Sequence, residues 1–406
     1  MTVYIGIDWS ECKHDVVCLN DAGAIVARQT MAHNPPGLAQ LEGLCQQLGV
    51  EPSACLVGLE TAHNLLVDYL WARGFSQVYV IPPGVVSARR GRYGASLAHD
   101  DARDARLLAD LLRTDRARLQ PWQPDSPLTQ QIRAKVGLIQ HLTASKLRVE
   151  NRLRAVLLRY YPAALDLFGG LSSLTTLSFI AEFNTPQALD ELTYADFVAF
   201  AAQHHYHNRQ GLLGSYARLQ QSHLLADPAV VLAYQDEAAL LAGQLLQLCR
   251  AKQSCLAALQ SLFAQHPDQA IFASLPGTGA FLAPALLAKF GDDRRRFPSP
   301  ATLQAVAGTS PVTKASGKSK QLVFRRACDH EFRQIVQQWA RSSLRHSVWA
   351  NAYWQQVRPH AHSPHDAYRR LAHRWLAVAW KLWQSGQTYS ESYHLQQRRL
   401  RSLPRA

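Results

Sequence analysis

Four carboxylates fall at points of the sequence where a strand ends or a helix begins. Asp8 follows the β-branched run "VYIGI", and Glu60 ends a second such run, "ACLVGLE". Asp101 and Asp104 lie in "AHDDARDA", whose pattern predicts a helix. Carboxylate oxygens are ligands that Mg²⁺ prefers, and two such ions about 4 Å apart can activate a nucleophile and stabilise the leaving oxygen at a phosphodiester. The four acids together predict metal-dependent chemistry on a phosphodiester.

The register of the two helical acids is open. A spacing of three residues places Asp101 and Asp104 on one helix face, but a spacing of four does the same for Asp100 and Asp104. Arg103 and Arg106 interrupt these acids, so the stretch by itself describes a solvated helix face whose charges neutralise one another. Only together with the acids at the strand ends does it become half of a metal site.

A second group of residues that could do chemistry lies in "TKASGKSK", which contains Ser316. A serine hydroxyl acts as a nucleophile only when a base or a metal activates it, and no His-Asp partner lies nearby in the sequence. Lys314, Lys318 and Lys320 would instead stabilise charge that develops on a phosphate. A serine in a loop rich in glycine and lysine is also a common turn residue. Ser310 is the competing candidate.

The elements that must position these side chains begin with a mixed sheet. Strands in hairpins, followed by strands that alternate with helices, predict for residues 1–125 a sheet with helices on its faces. Apolar residues at three- and four-residue steps predict long helices over about 126–160 and 226–264. We expect these helices to form an antiparallel coiled-coil stalk within 126–265, which carries the insertion 161–225 at its tip and acts as a spacer or dimerising element.

A third part, residues 266–390, opens with the loop "LPGTG" between helical stretches. Gly277 and Gly279 in this loop predict a helix-hairpin-helix, in which backbone N–H groups face a phosphate beside a helix N-terminus. A second hairpin-like segment follows it. We expect a mainly α C-terminal domain in which Arg325 and Arg326 also contact nucleic acid, and a basic tail over 391–406.

The charge of the chain indicates a polyanionic partner. Among 406 residues, 43 Lys and Arg stand against 30 Asp and Glu, which gives a net charge of +13. Such a balance favours nucleic acid or an acidic membrane surface as partner. Arginine and tryptophan interleave in the last third, as surfaces that bind single strands require. The apolar runs are shorter than a membrane span, and the seven cysteines show no C-x-x-C spacing, so we expect a cytoplasmic protein with no membrane partner.

The quoted motifs occur in the order found in a known family. The segments "YIGIDWSECKHDVVCLN", "VGLETAHN", "DDARDARLLADLLR" and "LPGTGAFLAPALLAKFGDDRRRFPSPATLQAVAGTSPVTKASGK" resemble the successive signatures of the DEDD transposases, which are recombinases of insertion sequences. The resemblance covers nearly the whole chain apart from the insertion 161–225 and the final tail. It implies an N-terminal RNase H-like (RuvC-like) domain and a C-terminal transposase domain.

The resemblance also assigns roles to the acids. The first Asp of the family falls on Asp8 and its Glu on Glu60. Its two helical acids follow a pattern similar to T-D-x-x-D-A, which selects Asp101 and Asp104. Asp100 stands where the family has Thr, so the choice of Asp101 over Asp100 rests on register. The implied cofactor is Mg²⁺ or Mn²⁺, bound by all four acids.

The resemblance implies a role for serine and a set of partners as well. Ser316 matches the serine that the family uses as a nucleophile and that becomes covalently joined to DNA. The partners are donor and target DNA and a structured non-coding guide RNA, the bridge RNA. The family works as homo-oligomers, dimers or tetramers, in which the acidic cluster of one protomer meets the serine of another.

Other classes of protein share some of these sequence features. "IGID" followed by a hairpin also opens actin-like ATPases and sugar kinases, but the glycine-rich loops that they need later are missing from the sequence. A Holliday-junction-resolvase-like endonuclease would explain the acids and leave the C-terminal domain without a role. A non-catalytic nucleic-acid-binding protein would explain the charge, the basic tail and the hairpin, but not the occurrence of the four acids in the order of the family. Zinc is disfavoured because two H-x-H clusters have no further ligands at metal spacing; they are His205 with His207 and His360 with His362.

Overall fold

The computed structural model divides the chain into two compact units, Met1–Pro124 and Asp125–Ala406. The residues that it describes are 2–61, 65–89, 101–221, 226–316 and 319–402. Asp100 and Lys318, which were named above as candidates, lie outside the described residues. Within the described part of the chain, no helix is both long and apolar enough to cross a membrane.

The N-terminal unit is built on a five-stranded sheet of order β3-β2-β1-β4-β5. Its elements are β1 (Val3–Trp9), β2 (Lys13–Leu19), β3 (Ile25–Ala32), α1 (Pro35–Gln47), β4 (Cys55–Leu59), α2 (Leu65–Ala72), β5 (Gln77–Val80), α3 (Pro83–Arg89) and α4 (Asp101–Asp115). Strands β1 to β3 are antiparallel neighbours, whereas β1, β4 and β5 run parallel. This is the mixed α/β sheet that the sequence predicts.

Alternation along the central strands creates two cores, one on each face of the sheet. Successive residues of a strand point to opposite faces, so Val3, Ile5 and Ile7 pack with residues of α1 and α2. Tyr4 lies in the other core, which is formed with α4. The second face is the one that matters for the carboxylates, because Asp8 is in step with Tyr4.

Two long helices, α5 (Pro127–Tyr160) and α9 (Pro228–Ala264), organise the second unit. Each begins at a proline that follows a capping side chain, from Ser126 and Asp227 respectively, which is a favoured arrangement for a helix start. The helices pack side by side. They run antiparallel, because the first turns of α5 share a core with the last turns of α9.

The two ends of this helix pair carry separate cores. Around one end pack α6 (Leu174–Glu182), α7 (Tyr194–Gln203) and α8 (Leu212–Leu219). Around the other end pack α10 (Gln269–Ala273), α11 (Gly279–Phe290), α12 (Pro300–Val306), α13 (His330–Ser343), α14 (Val348–Val357), α15 (Pro364–Ser385) and α16 (Glu391–Ser402). The remainder of the chain is thus mostly helical, as expected. One element was not predicted as such: β6 (Val312–Ser316) and β7 (Ser319–Val323) form an antiparallel hairpin in a segment that the sequence analysis treated only as a hairpin-like loop.

A buried carboxylate ties the start of α5 to the loop that follows α11. The side chain of Asp125 is 2% exposed. Its Oδ1 accepts hydrogen bonds from the backbone N–H of Asp292 at 2.8 Å and from Nη2 of Arg296 at 2.9 Å, and its Oδ2 accepts one from Arg133. A buried charge is tolerated only when it is paired and hydrogen-bonded in this way.

We predict that Asp125→Ala destabilises the second unit by about 3 kcal/mol, because removing one partner leaves two guanidinium groups and a backbone N–H without their acceptor. Asp293→Ala is the matched control, since it breaks an ion pair whose Arg295 side chain is 73% exposed; such pairs contribute at most about 1 kcal/mol. Urea denaturation of both variants measures the difference. Equal losses would show that the Asp125 cluster does not hold this junction together.

Candidate active site

The strand register brings Asp8 and Glu60 to the same edge of the sheet. Parallel pairing of β1 with β4 sets Ile5 opposite Val57 and Gly6 opposite Gly58. Continued by two residues, this register sets Asp8 opposite Glu60, at the carboxyl ends of adjacent strands that lie about 4.8 Å apart. Both side chains are partly buried. Asp8 and Glu60, far apart in the sequence, therefore belong to the same edge of the sheet.

Helix α4 lies directly on this face because glycines make room for it. A Cβ built on Gly6 would lie 1.9 Å from the carbonyl oxygen of Ala105 and 2.6 Å from the amide nitrogen of Ala109. A Cβ on Gly58 would lie 3.0 Å from Cδ1 of Leu112. The spacings G-x-D and G-x-E thus combine a glycine that admits the helix with an acid two residues later on the same face.

The direction of α4 places its first turn beside the acids. The last turn lies near the start of β1, where the charge of Arg113 acts on the Tyr4 hydroxyl and its guanidinium faces Gly23. The helix therefore runs antiparallel to β1, and its N-terminal end lies towards the strand's carboxyl end. Asp101 is the first residue of α4, and the partly buried Asp104 precedes the contact residue Ala105. The first turn of α4, which carries Asp101 and Asp104, thus lies towards the end of β1 at which Asp8 stands.

The chemistry of this donor set fits a hard divalent cation. Partly buried carboxylates on two strand ends and a helix are oxygen donors of the kind that Mg²⁺ and Mn²⁺ accept. Among the described residues, no three His, Cys, Asp or Glu side chains are close enough to form a ready-made metal cluster, and the side chain of Asp101 is outside that description. The same finding gives no support to zinc at the two H-x-H clusters.

The sequence analysis missed one further acid on this face. Antiparallel pairing of β1 with β2 sets Asp15 opposite Asp8. Asp15 accepts a hydrogen bond from Oγ1 of Thr30 at 2.6 Å and lies 3.5 Å from Nζ of Lys13. The alternation of β2, in which Asp15 is in step with Val17, could have indicated its position. Its hydrogen bond to Thr30 of β3 and its ion pair with Lys13 of its own strand indicate a residue that supports the edge.

The second predicted group lies on the β6–β7 hairpin. Ser316 is the last residue of β6 and pairs with Ser319, the first of β7, so it flanks the turn of the hairpin. Lys314 is exposed on β6, and Lys320 pairs with Ala315. The backbone thus carries Ser316 and two lysine positions on one short projecting element.

The base of this hairpin is held by Arg333 of α13. Its Nη2 donates to the carbonyl oxygen of Arg325 at 2.8 Å and contacts the thiol of Cys328, while the guanidinium lies 4.6 Å from the ring centroid of Phe324. Arg369 lies on that ring as well, at 4.8 Å. Gly308, which precedes β6, leaves space for Arg333, because a Cβ on Gly308 would lie 2.7 Å from Nε of Arg333.

The remaining predicted residues occupy two kinds of position. Nε of Arg325 donates to the carbonyl oxygen of Ser310 at 3.1 Å, which fixes the segment before β6, whereas Arg326 is exposed. Gly277 packs inward, since a Cβ there would lie 2.8 Å from the backbone nitrogen of Ser343 in α13. Gly279 begins α11 beside open space. Contact of any of these residues with nucleic acid stays a prediction.

Comparison with known proteins gives family matches over the two parts of the chain that contain these residues. Residues 5–162, which include Asp8, Glu60 and α4, match a transposase family model of the DEDD, IS110 type. Residues 269–355, which include the β6–β7 hairpin, match the model described as transposase IS116/IS110/IS902 family. The protein is thus a transposase, an enzyme that cuts and rejoins DNA.

Full-length relatives give the same result. The chain is 31% identical over 400 residues to a protein named as the transposase of the IS117 mini-circle of Streptomyces coelicolor, covering 96% of each chain. It is 26% identical over 389 residues to a 42 kDa protein of insertion element IS900 of Mycobacterium paratuberculosis, covering 94% of this chain and 95% of that protein. The chain belongs to the IS110/IS116/IS902 family of insertion-sequence transposases.

Proposed function

We propose that this transposase is a divalent-metal-dependent, RNA-guided DNA recombinase with two catalytic groups. Asp8, Glu60, Asp101 and Asp104 bind Mg²⁺ or Mn²⁺, and Ser316 forms a covalent link to DNA. The observation that carries the proposal is the β1–β4 register, which pairs Gly6 with Gly58 on the face covered by α4; Asp8 and Glu60 each follow two residues later, at the carboxyl ends of these strands. In this proposal the N-terminal sheet is an RNase H-like (RuvC-like) fold.

The acids and the lysines have separate tasks. Asp8, Glu60, Asp101 and Asp104 would hold a divalent ion, which would supply polarisation of a phosphodiester and activation of a nucleophile. The carboxylates of Asp8 and Glu60 orient the ion, and their strand positions keep them in place without rearrangement. On the hairpin, Lys314, Lys318 and Lys320 attract the phosphate and stabilise the charge that develops during transfer.

Serine supplies the step that distinguishes a recombinase from a nuclease. The Ser316 hydroxyl passes its proton to a water molecule and attacks phosphorus, so that a serine–phosphate ester forms, the bond to the departing sugar oxygen breaks and that oxygen can take a proton from water. The energy of the broken bond is kept in the ester, and attack by a new sugar hydroxyl releases the serine and joins the strands.

Trapping this ester tests the proposal. With Mg²⁺, cognate RNA and DNA, the wild-type chain is expected to give a protein–DNA adduct that survives denaturation, and Ser316→Ala is expected to give none. Ser310→Ala is the matched control and should keep the adduct. Undiminished adduct in Ser316→Ala would remove the serine from the mechanism, and loss in Ser310→Ala alone would move the role to that residue.

A metal-dependent, Holliday-junction-resolvase-like endonuclease is the second candidate. The observation that favours it is that all four acids belong to the N-terminal unit, Met1–Pro124. It predicts nicked DNA without any adduct in the same experiment. The guide RNA and the assembly into dimers or tetramers, with α5 and α9 as a coiled-coil stalk, are parts of the first proposal that rest on the family resemblance.

A further inference from the structure

A cavity of about 280 Å³ lies between the end of α15, the segment that follows it and α16. It belongs to the second unit and is remote in sequence from the hairpin that carries Ser316. Its lining combines apolar side chains, including Val378 and Leu382, with polar and aromatic ones. A volume of this size lies at the lower limit of pockets that take small organic ligands.

The walls of the cavity present groups that attract an anion and hydrogen-bond a planar ligand. Lys381 and Arg398 supply positive charge, Gln387 and Gln397 supply amides, and Tyr393 supplies a ring that is 58% exposed. Among the described residues, those that line the cavity include no aspartate or glutamate. The exposed ring of Tyr393 beside these cationic side chains offers a surface on which a planar ligand can stack.

The carboxylate of Glu391, at the start of α16, is engaged by hydrogen bonds within the fold. Oε1 of Glu391 accepts hydrogen bonds from Oγ of Ser347 at 3.1 Å and from the backbone N–H of Trp349 at 2.8 Å, which caps the start of α14. Its Oε2 accepts one from the Tyr389 hydroxyl at 2.6 Å. The guanidinium of Arg398 lies 5.7 Å from the Trp349 ring centroid, within the range of a cation–π contact. The wall formed by α16 is therefore held in place before any ligand arrives.

We propose that this cavity binds one unpaired nucleotide of a single-stranded nucleic acid. The base stacks on Tyr393 and bonds to the amides of Gln387 and Gln397, and the phosphate lies against Lys381 and Arg398. Stacking on an aromatic ring beside a basic groove is the way in which proteins hold single strands. A base pair is too large for the cavity. The inference rests on the proposed function in one respect, namely that a nucleic acid is the partner.

Binding of short labelled strands by the full chain, freed of nucleic acid, tests the inference by fluorescence anisotropy at fixed salt. Tyr393→Ala is expected to weaken binding of oligouridylate RNA or oligothymidylate DNA by about 10-fold, in line with the loss of one stacked base, while Tyr393→Phe keeps it. Lys381→Ala is expected to weaken binding and to lower the salt dependence by about one phosphate contact. Tyr194→Ala and Arg250→Ala, which change an exposed tyrosine and an exposed arginine on other helices, should stay within about 2-fold of wild type.

The two kinds of strand distinguish the source of the nucleotide. A loss confined to RNA assigns the cavity to a guide strand, and a loss confined to DNA assigns it to a separated DNA strand; either supports the inference. Unchanged binding by Tyr393→Ala, or an equal loss for duplex DNA, overturns it. Because no cleavage is measured, failure of the Ser316 adduct would contradict the proposed function and leave this result unaffected.

Discussion

Gly6→Ala is expected to lower the stability of the N-terminal unit by about 3 kcal/mol. The added Cβ would stand 1.9 Å from the carbonyl oxygen of Ala105 and 2.6 Å from the amide nitrogen of Ala109. Both obstacles are backbone atoms of α4, so no side-chain rotation relieves the overlap and the helix must move off β1. Overpacking in a closely packed core costs about 1–3 kcal/mol, and a contact with backbone belongs at the upper end.

Gly43→Ala is the matched control for this substitution. Gly43 lies within α1 and has nothing within 4 Å of the position of a Cβ, so the same change should stabilise the chain by about 0.5–1 kcal/mol through helix propensity. Hydrogen exchange of β1 and α4, together with urea denaturation, measures both variants. Faster exchange at β1 and α4 in Gly6→Ala alone is the expected result. Equal behaviour of the two variants would mean that α4 does not depend on close approach to β1.

Local patterns were sufficient to predict the elements of the N-terminal sheet. The runs that end at Asp8 and Glu60 alternate or are continuously apolar, and the strands lie where these patterns place them. The long helices α5 and α9 likewise begin and end within a few residues of their apolar seams. These features depend on neighbours in sequence, which a single chain displays directly.

Contacts between distant parts of the chain could not be predicted in this way. Nothing in the sequence around Gly6 indicates that Ala105 lies against it, and nothing around Asp125 indicates that it pairs with Arg296 from the loop beyond α11. The β6–β7 hairpin was missed for a related reason: its exposed strands lack a buried face, so the alternation that marks a half-buried strand is weak. The pairing of Asp15 with Asp8 depends on a hairpin register that the sequence leaves open.

Asp8→Asn is expected to reduce strand cleavage by at least about 10³-fold and to leave binding of nucleic acid within about 2-fold of wild type. The change keeps the shape of the side chain and removes the charge that would orient a divalent ion. Such an ion stabilises a transition state by several kcal/mol. Each 1.36 kcal/mol corresponds to a factor of ten in rate. Glu60→Gln should have an effect of the same order, because its position in the register is equivalent. Cleavage of labelled DNA and anisotropy measure the two properties separately.

Asp115→Asn tests whether a loss of cleavage is specific to the proposed metal ligands or follows the removal of any carboxylate in the N-terminal unit. Asp115 ends α4, far along the helix from Asp104, and its Oδ2 lies 3.6 Å from Arg89. Its replacement should leave cleavage unchanged within about 2-fold, since a partly exposed ion pair contributes little. A deep loss in Asp8→Asn and Glu60→Gln beside normal cleavage in Asp115→Asn would locate the metal chemistry at the carboxyl ends of β1 and β4. Normal cleavage in Asp8→Asn would contradict the acidic edge as the catalytic centre, because this variant lacks one of the proposed metal ligands. That conclusion would hold for any role of Ser316.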